Sequence, residues 1–213
     1  TNSSLGFQPD LVWYKQRNGT EDNGLYDAVR GTTKRLISNS NGAETTEASG
    51  LTAFNSDGWV TGADGKSGTA SQNYVSWNWK ANGAGSANTD GTINSTSTSA
   101  NTTAGFAIIK YTGNATQGAT LGHGLGVKPT LIMIKSTTNA EAWVVGGNGL
   151  NATNPYDYYL HLHTQDERGQ NNNRFGNVLP TTSVFSLGNE DQVNSSSKTY
   201  IAYVFADVPG YQK

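Results

Sequence analysis

The sequence predicts an all-β, sandwich-like, internally duplicated fold, and three observations carry that prediction. The first is composition. Of 213 residues, 34% are hydrophobic and 14% charged, so polarity rests on 26 glycines and on Asn, Ser and Thr rather than on charge, a mix that suits strands joined by turns better than helices. The second is periodicity: short apolar or alternating runs bounded by Gly, Asn, Asp or Pro recur along the chain, and no long capped helical pattern accompanies them. The third is repetition. "GFQPDLVWYKQRNG" from Gly6 and "GVKPTLIMIKSTTN" from Gly126 share their Gly, Pro and Lys, at Pro9 and Pro129 and at Lys15 and Lys135. "GWVTGADGKSGTASQNYVSWNWKA" from Gly58 aligns without a gap with "VFSLGNEDQVNSSSKTYIAYVFAD" from Val184. Matches in the same order at nearly the same offset mark an internal duplication, as two related units or one pseudo-symmetric sandwich.

In chain order, Leu11–Lys15 is an apolar run released by the turn at Gly6 and by Pro9. "GLYDAVRGTTKRLIS" offers at most a helical turn, interrupted by Gly31. Gly58–Thr61 follows the "SDG" turn. Tyr74–Lys80 alternates, with Val75, Trp77 and Trp79 on the face expected in the core. "ANGAGSANTDGTINSTSTSANTTAG" has almost no apolar content and reads as a polar linker or long surface loop. Phe106–Thr112 is β-branched and aromatic, Thr130–Lys135 repeats the first phrase, and Ala142–Val145 and Tyr158–His163 are apolar runs between turn signals. Ser183–Leu187 repeats the Gly58 segment. Tyr200–Ala206 is apolar on both faces, as a strand covered on both sides must be. The chain thus divides into a first unit at 1–83, a polar linker or long loop at 84–104 and a second unit at 105–213.

The two units differ in one respect. The second has Phe106–Thr112 ahead of its Gly126 phrase, and the first has no such strand ahead of Gly6. Meanwhile Gly210-Tyr211 matches Gly105-Phe106, where that strand begins. Three readings stand: the chain is one piece of a longer array, a neighbouring copy supplies the strand, or the first unit dispenses with it. The first two predict an assembly edge at Leu5, Phe7, Leu11 and Trp13.

These blocks, with "LYDAVRGTTKRLISN", "NTDGTINSTSTSAN", "GFAIIKYTGN" and "YIAYVFADVPGY", resemble a domain of unknown function that recurs in tail-associated proteins of marine bacteriophages. The resemblance spans nearly the whole chain. It implies a β-rich structural module of the virion surface and brings no catalytic or ligand residues with it. Where that family's central strands often carry Cys, this chain has Asn78 and Val204, so a cross-linking role finds no basis.

Composition also narrows function. A net charge of -2 gives no excess to hold nucleic acid or an anionic membrane. The absence of cysteine removes disulfides, zinc–thiolate sites and thiol nucleophiles. No apolar stretch is long enough to span a bilayer as a helix. Among the three histidines, His161 and His163 share a strand face and Asp166 follows, a metal-ligand spacing weighed against ordinary packing. His123 in "LGHGLG" belongs to a turn, because no phosphate-loop pattern surrounds it. The acid pairs Glu21-Asp22, Asp166-Glu167 and Glu190-Asp191 read as solvated turns, as do Asp57, Asp64 and Asp90 before their glycines.

One segment without a counterpart in the first unit, "NPYDYYLHLH", mixes aromatic rings with hydrogen-bonding groups. Tyr156, Asp157, Tyr158 and His161 there form a candidate glycan-binding set. The sequence therefore predicts a non-enzymatic structural module of a virion surface or tail appendage, without cofactor or metal, self-associating and in contact with host-surface glycan. A homopolymeric extracellular filament built by strand addition, and a lectin or carbohydrate-active enzyme, are the alternatives.

Overall fold

The structure is a computed structural model in which residues 1–212 are described. The first unit contains β1 (Asn2–Ser3), β2 (Leu11–Gln16), β3 (Gly24–Asp27), β4 (Lys34–Arg35), β5 (Thr45–Thr46), β6 (Leu51–Asn55), β7 (Gly58–Thr61) and β8 (Tyr74–Trp79). After it come β9 (Ser97–Asn101), β10 (Phe106–Thr112), β11 (Ala119–Gly122), β12 (Leu131–Ser136), β13 (Val144–Gly147), β14 (Tyr158–His161), β15 (Gly169–Gln170), β16 (Val184–Leu187) and β17 (Thr199–Phe205). Among the described residues, helix is confined to a four-residue α-turn at Asp191–Asn194 and two 3₁₀ turns.

The strands form two sheets in each unit. The first unit has β1-β7-β6 and β3-β2-β8, with β4-β5 as a small ribbon beside them. The second has β11-β16 and a seven-stranded sheet in the order β15-β14-β13-β12-β17-β10-β9. Alternation along β2 shows how the sheets stack. Val12 and Tyr14 join Tyr26, Leu51 and Trp59 in the first unit's own core, whereas Leu11 and Trp13 face Phe106, Ile108, Ile201 and Tyr203 of the seven-stranded sheet. The far side of that sheet packs Ile109, Ile134, Ala202 and Val204 against Leu121 and Phe185. Four sheets thus enclose three apolar layers, the middle one shared between the units.

The duplication reaches individual pairings. Leu11 lies opposite Asp27 and Tyr14 opposite Gly24; in the second unit Leu131 lies opposite Gly147 and Ile134 opposite Val144. Leu11 also faces Trp79, as Leu131 faces Phe205. The ammonium that closes each repeated phrase has the same task twice. Lys15 Nζ donates to the carbonyls of Gln16 and Gly19 at 2.8 and 3.3 Å, and Lys135 Nζ donates to those of Ser136 and Asn139 at 2.8 and 3.3 Å. Each lysine bridges the turn that leaves its strand. Gly6 and Gly126 sit at φ of 76° and 72°, in the left-handed region that a Cβ disfavours, so each phrase needs its opening glycine.

A buried polar network ties the units together. Arg30 donates through Nε to Asp27 at 2.6 Å, through Nη1 to Glu44 at 3.1 Å, and through Nη2 to the Tyr203 hydroxyl at 3.3 Å. Tyr203 in turn donates to Asp27 at 2.7 Å. Burial opposes charge on Arg30, but Asp27, Tyr203 and Glu44 outweigh it and hold the guanidinium protonated above its usual range. Beside this network the Trp143 ring stacks on Tyr203, and its Nε1 donates to the Ile37 carbonyl at 2.9 Å.

Three sequence expectations need correction. Residues 84–104 are not a linker: β9 pairs with β10 along its length, Ile93 bridges to Leu121, and Thr98 and Ser99 are buried. The segment from Gly24, where only a turn was expected, opens with the wholly buried strand β3; the turn follows it, with the Gly31 amide donating to the Asp27 carbonyl at 3.0 Å. Trp77 is 48% exposed, although its strand was expected to turn that face into the core. Its counterpart Tyr203 is completely buried. By contrast, β17 is covered on both faces as its sequence requires.

Candidate functional site

The difference between Trp77 and Tyr203 locates the site. In the second unit, β17 has β12 on one edge and β10 on the other; in the first, β8 has β2 on one edge and, among the described residues, no strand on the other. The Asp10 and Arg17 amides donate to the carbonyls of Trp79 and Asn73 at 2.8 and 2.7 Å. Alternation in an antiparallel pair then turns the backbone N–H and C=O of Tyr74, Ser76 and Asn78 toward the open edge. The corresponding groups of Ala202 and Val204 face Ile109 and Ala107 of β10.

The open edge has an apolar side and a polar side. On the apolar side, Trp77 meets Trp13 edge to face with ring centroids 6.1 Å apart, and Trp79 packs on Phe106 and Phe205. On the polar side lies a groove of about 590 Å³, lined by Asn2, Ser3, Trp59, Ser67, Tyr74 and Ser76 among others. Trp59 Nε1 and Ser67 Oγ, buried behind its lining, have no hydrogen-bond partner among the described residues. Buried donors left without acceptors are uncommon in a finished sheet.

The predicted assembly edge lies one strand away from this position. β2 is flanked by β3 and β8, so Leu11 and Trp13 sit on an interior strand. Leu11 is wholly buried between the units, and Leu5 packs on the first unit's core. Phe7 is half-buried and lines a shallow hollow with Lys80, Thr103 and Tyr211. The duplicated sequence holds no counterpart of β10 within residues 1–83; the register was needed to show that β8 is the strand it would pair with.

The predicted glycan set is not brought together. Tyr156 is buried in the second unit's core, edge to face with Phe175, and its hydroxyl points to the Pro129 carbonyl at 3.4 Å. Asp157 accepts from Gln170 Nε2 at 2.6 Å. Tyr158 lies under the Arg168 guanidinium, 4.6 Å from its centroid. Along β14, Tyr158 and His161 are an odd number of residues apart and so point to opposite faces. The rings of His161 and His163 are 5.7 Å apart, and no group of three or more His, Asp or Glu side chains converges among the described residues.

Of the three acidic residues before glycines, Asp57 and Asp64 act as turn caps, whereas at Asp90 the cap is Asn88 Oδ1, which accepts from the Asp90 amide at 2.9 Å. Asp57 accepts from the Ser4 and Gly6 amides at 3.0 and 2.6 Å, and Asp64 accepts from the Ser67 amide at 2.7 Å. Of the acid pairs, Glu21, Asp22, Asp166 and Glu167 are exposed, while Glu190 lies 3.8 Å from Arg174.

His123 is buried in the turn before the second phrase. Its Nδ1 accepts from the Leu125 amide at 3.2 Å, which places the hydrogen on Nε2, 3.3 Å from the Thr181 carbonyl. Burial lowers its pKa, and burial with His161 and Lys135 lowers that of His163. Both folded-state values lie below the unfolded value, so the unfolded chain takes up protons first as pH falls. Stability is therefore unaffected by these groups above that unfolded value and declines as pH drops through about 6.5. Urea midpoints at about pH 7.5 and about pH 5.5 are expected to differ in that sense, with a smaller difference in His123→Asn.

No curated protein and no solved structure matches the chain. A family model does match, over residues 1–213, and the chain belongs to the family described as Domain of unknown function (DUF7483).

Proposed function

We propose that this protein is a non-enzymatic structural module of a virion surface or tail appendage that associates with copies of itself. The observation behind this reading is the repeated unit itself. The second unit's sheet is completed by its own β10, for which residues 1–83 hold no counterpart, while β8 of the first unit keeps an open edge. An open sheet edge is a place where a further strand can add. The low charge adds support, since hydrogen-bonding polar groups depend little on salt for their solubility.

Purified particles are expected to contain the protein in fixed, multiple copy number by quantitative mass spectrometry, with antibody labelling on a tail or appendage. Its absence from particles would rule the reading out. The filament reading draws on the same open edge and differs in its outcome, because it requires the isolated protein to polymerise without a virion.

A further inference from the structure

We infer that β8 pairs edge to edge with β8 of a second copy of this chain, antiparallel about a two-fold axis at Ser76, so that the first unit's sheet runs on from one copy into the other. The inference rests on the structural-module reading and gives its self-association a surface and a register. Its first support is the comparison of β8 with β17 inside one chain. All the inner residues of β17 are buried, whereas no residue of β8 is, and Trp77 is 48% exposed. What separates them is β10, which pairs with β17 along its whole length and has no counterpart beside β8 among the described residues. The second support is that β8 lacks the devices that keep a sheet edge single. Elsewhere Leu36 bridges to β3, Ser86 to β9 and Ile93 to β11, β6 is bulged, and β1 and β15 are two residues long. The β8 sequence, Tyr-Val-Ser-Trp-Asn-Trp, includes no charge, proline or glycine. Nothing along this edge repels another strand.

The third support is self-complementarity, which selects the occupant. The outward backbone groups belong to Tyr74, Ser76 and Asn78, a set centred on Ser76. With Ser76 opposite Ser76, Tyr74 opposes Asn78 of the second copy, and every outward N–H meets an outward C=O. Trp77 then lies opposite Val75 of the second copy, an aromatic and β-branched pair that covers each exposed indole. The neighbouring registers leave groups unmatched. One sets Tyr74 against Lys80, whose carbonyl already accepts from Asn101 Nδ2 at 3.3 Å, and the other sets Asn78 against Gln72, whose amide already donates to the Thr69 carbonyl at 3.4 Å. No charged side chain opposes a like charge in the central register, where Lys80 falls opposite Gln72. The same patch meets itself, so the contact closes into a dimer. It is small, and therefore belongs with the weak interfaces that dissociate on dilution.

The 213-residue chain contains no cysteine, so introduced cysteines report the register. In this pairing the Cα atoms of Val75 and of Trp77 in the second copy lie about 4.5 Å apart, within disulfide reach. Val75→Cys and Trp77→Cys proteins are expected to cross-link at least about tenfold faster when mixed under oxidation than either does alone. Sedimentation of the parent protein is expected to show a monomer–dimer equilibrium, with amide exchange at Tyr74, Ser76 and Asn78 slowed by about tenfold or more as concentration rises. Ser76→Pro removes one edge N–H, which an edge strand tolerates, and is expected to abolish the dimer while leaving the melting temperature nearly unchanged. Trp77→Lys, at an exposed position, is expected to weaken it about tenfold. A monomer at every concentration up to about 1 mM, exchange along β8 that ignores concentration, faster cross-linking by either cysteine variant alone, or a dimer that both edge variants leave intact would overturn the proposal. Particle composition is read out separately: a monomer found in particles would remove the edge contact and leave the structural role standing, and a dimer absent from particles would do the reverse.

Discussion

Asp27→Ala is expected to destabilise the protein by about 3–5 kcal/mol, because it removes one member of a buried charge pair and leaves the other behind. Arg30 Nε would lose its partner at 2.6 Å and the Tyr203 hydroxyl its acceptor, both in a layer from which water is excluded. Glu44 is farther from Arg30 and partly exposed, so it compensates only in part. Tyr203→Phe, which leaves the ion pair intact, is expected to cost about 1.5–3 kcal/mol, the range for a hydrogen bond to a charged group. Urea unfolding of the two single variants and the double variant measures both costs and their coupling. A loss under about 1 kcal/mol for Asp27→Ala would mean that the network does not hold the units together.

Trp143→Ala should be comparably severe, at about 3–5 kcal/mol, through the cavity left by a completely buried indole. The ring lies against Tyr203 within the second unit, and its Nε1 satisfies the Ile37 carbonyl in the first, so truncation damages packing and strands an acceptor across the junction. For a chain of this size the cost corresponds to a melting temperature lower by about 10 °C. The shared middle layer also makes the two units one cooperative body. Calorimetry is expected to show a single transition in the parent protein and in both variants, and two resolved transitions would contradict the shared core.

Much of this architecture is legible in sequence because burial and repetition both leave marks there. The nine strands expected from apolar runs all occur, with ends shifted by a residue or two, and the run Tyr200–Ala206 disclosed its two covered faces directly. β9 escaped notice because its burial is achieved by Thr98 and Ser99, whose hydroxyls are satisfied locally, Thr98 by Ser95 and Ser99 by the Asn82 amide, so no hydrophobic period appears. β3 was hidden for the opposite reason: all four of its residues are buried, among them Asp27 and a glycine, and alternation vanishes.

The site was legible only in part. Duplication showed that residues 1–83 hold no counterpart of β10, but a strand pattern says which way a side chain points and not what covers it, so Trp77 read as core. Tyr156 shows the converse. Its polar neighbours suggested a surface, whereas Pro155 turns the chain so that the ring fills the second unit's interior.

The central claim is that β8 and β17 are the same strand in two copies, one completed and one open. Residue-resolved amide hydrogen exchange of the free chain tests it most directly. Tyr200, Ala202 and Val204 are expected to be among the slowest amides, and Tyr74, Ser76 and Asn78 to exchange orders of magnitude faster, near the rate of exposed turns. Equal protection of the two sets would show that the edge of β8 is already filled and would contradict the account.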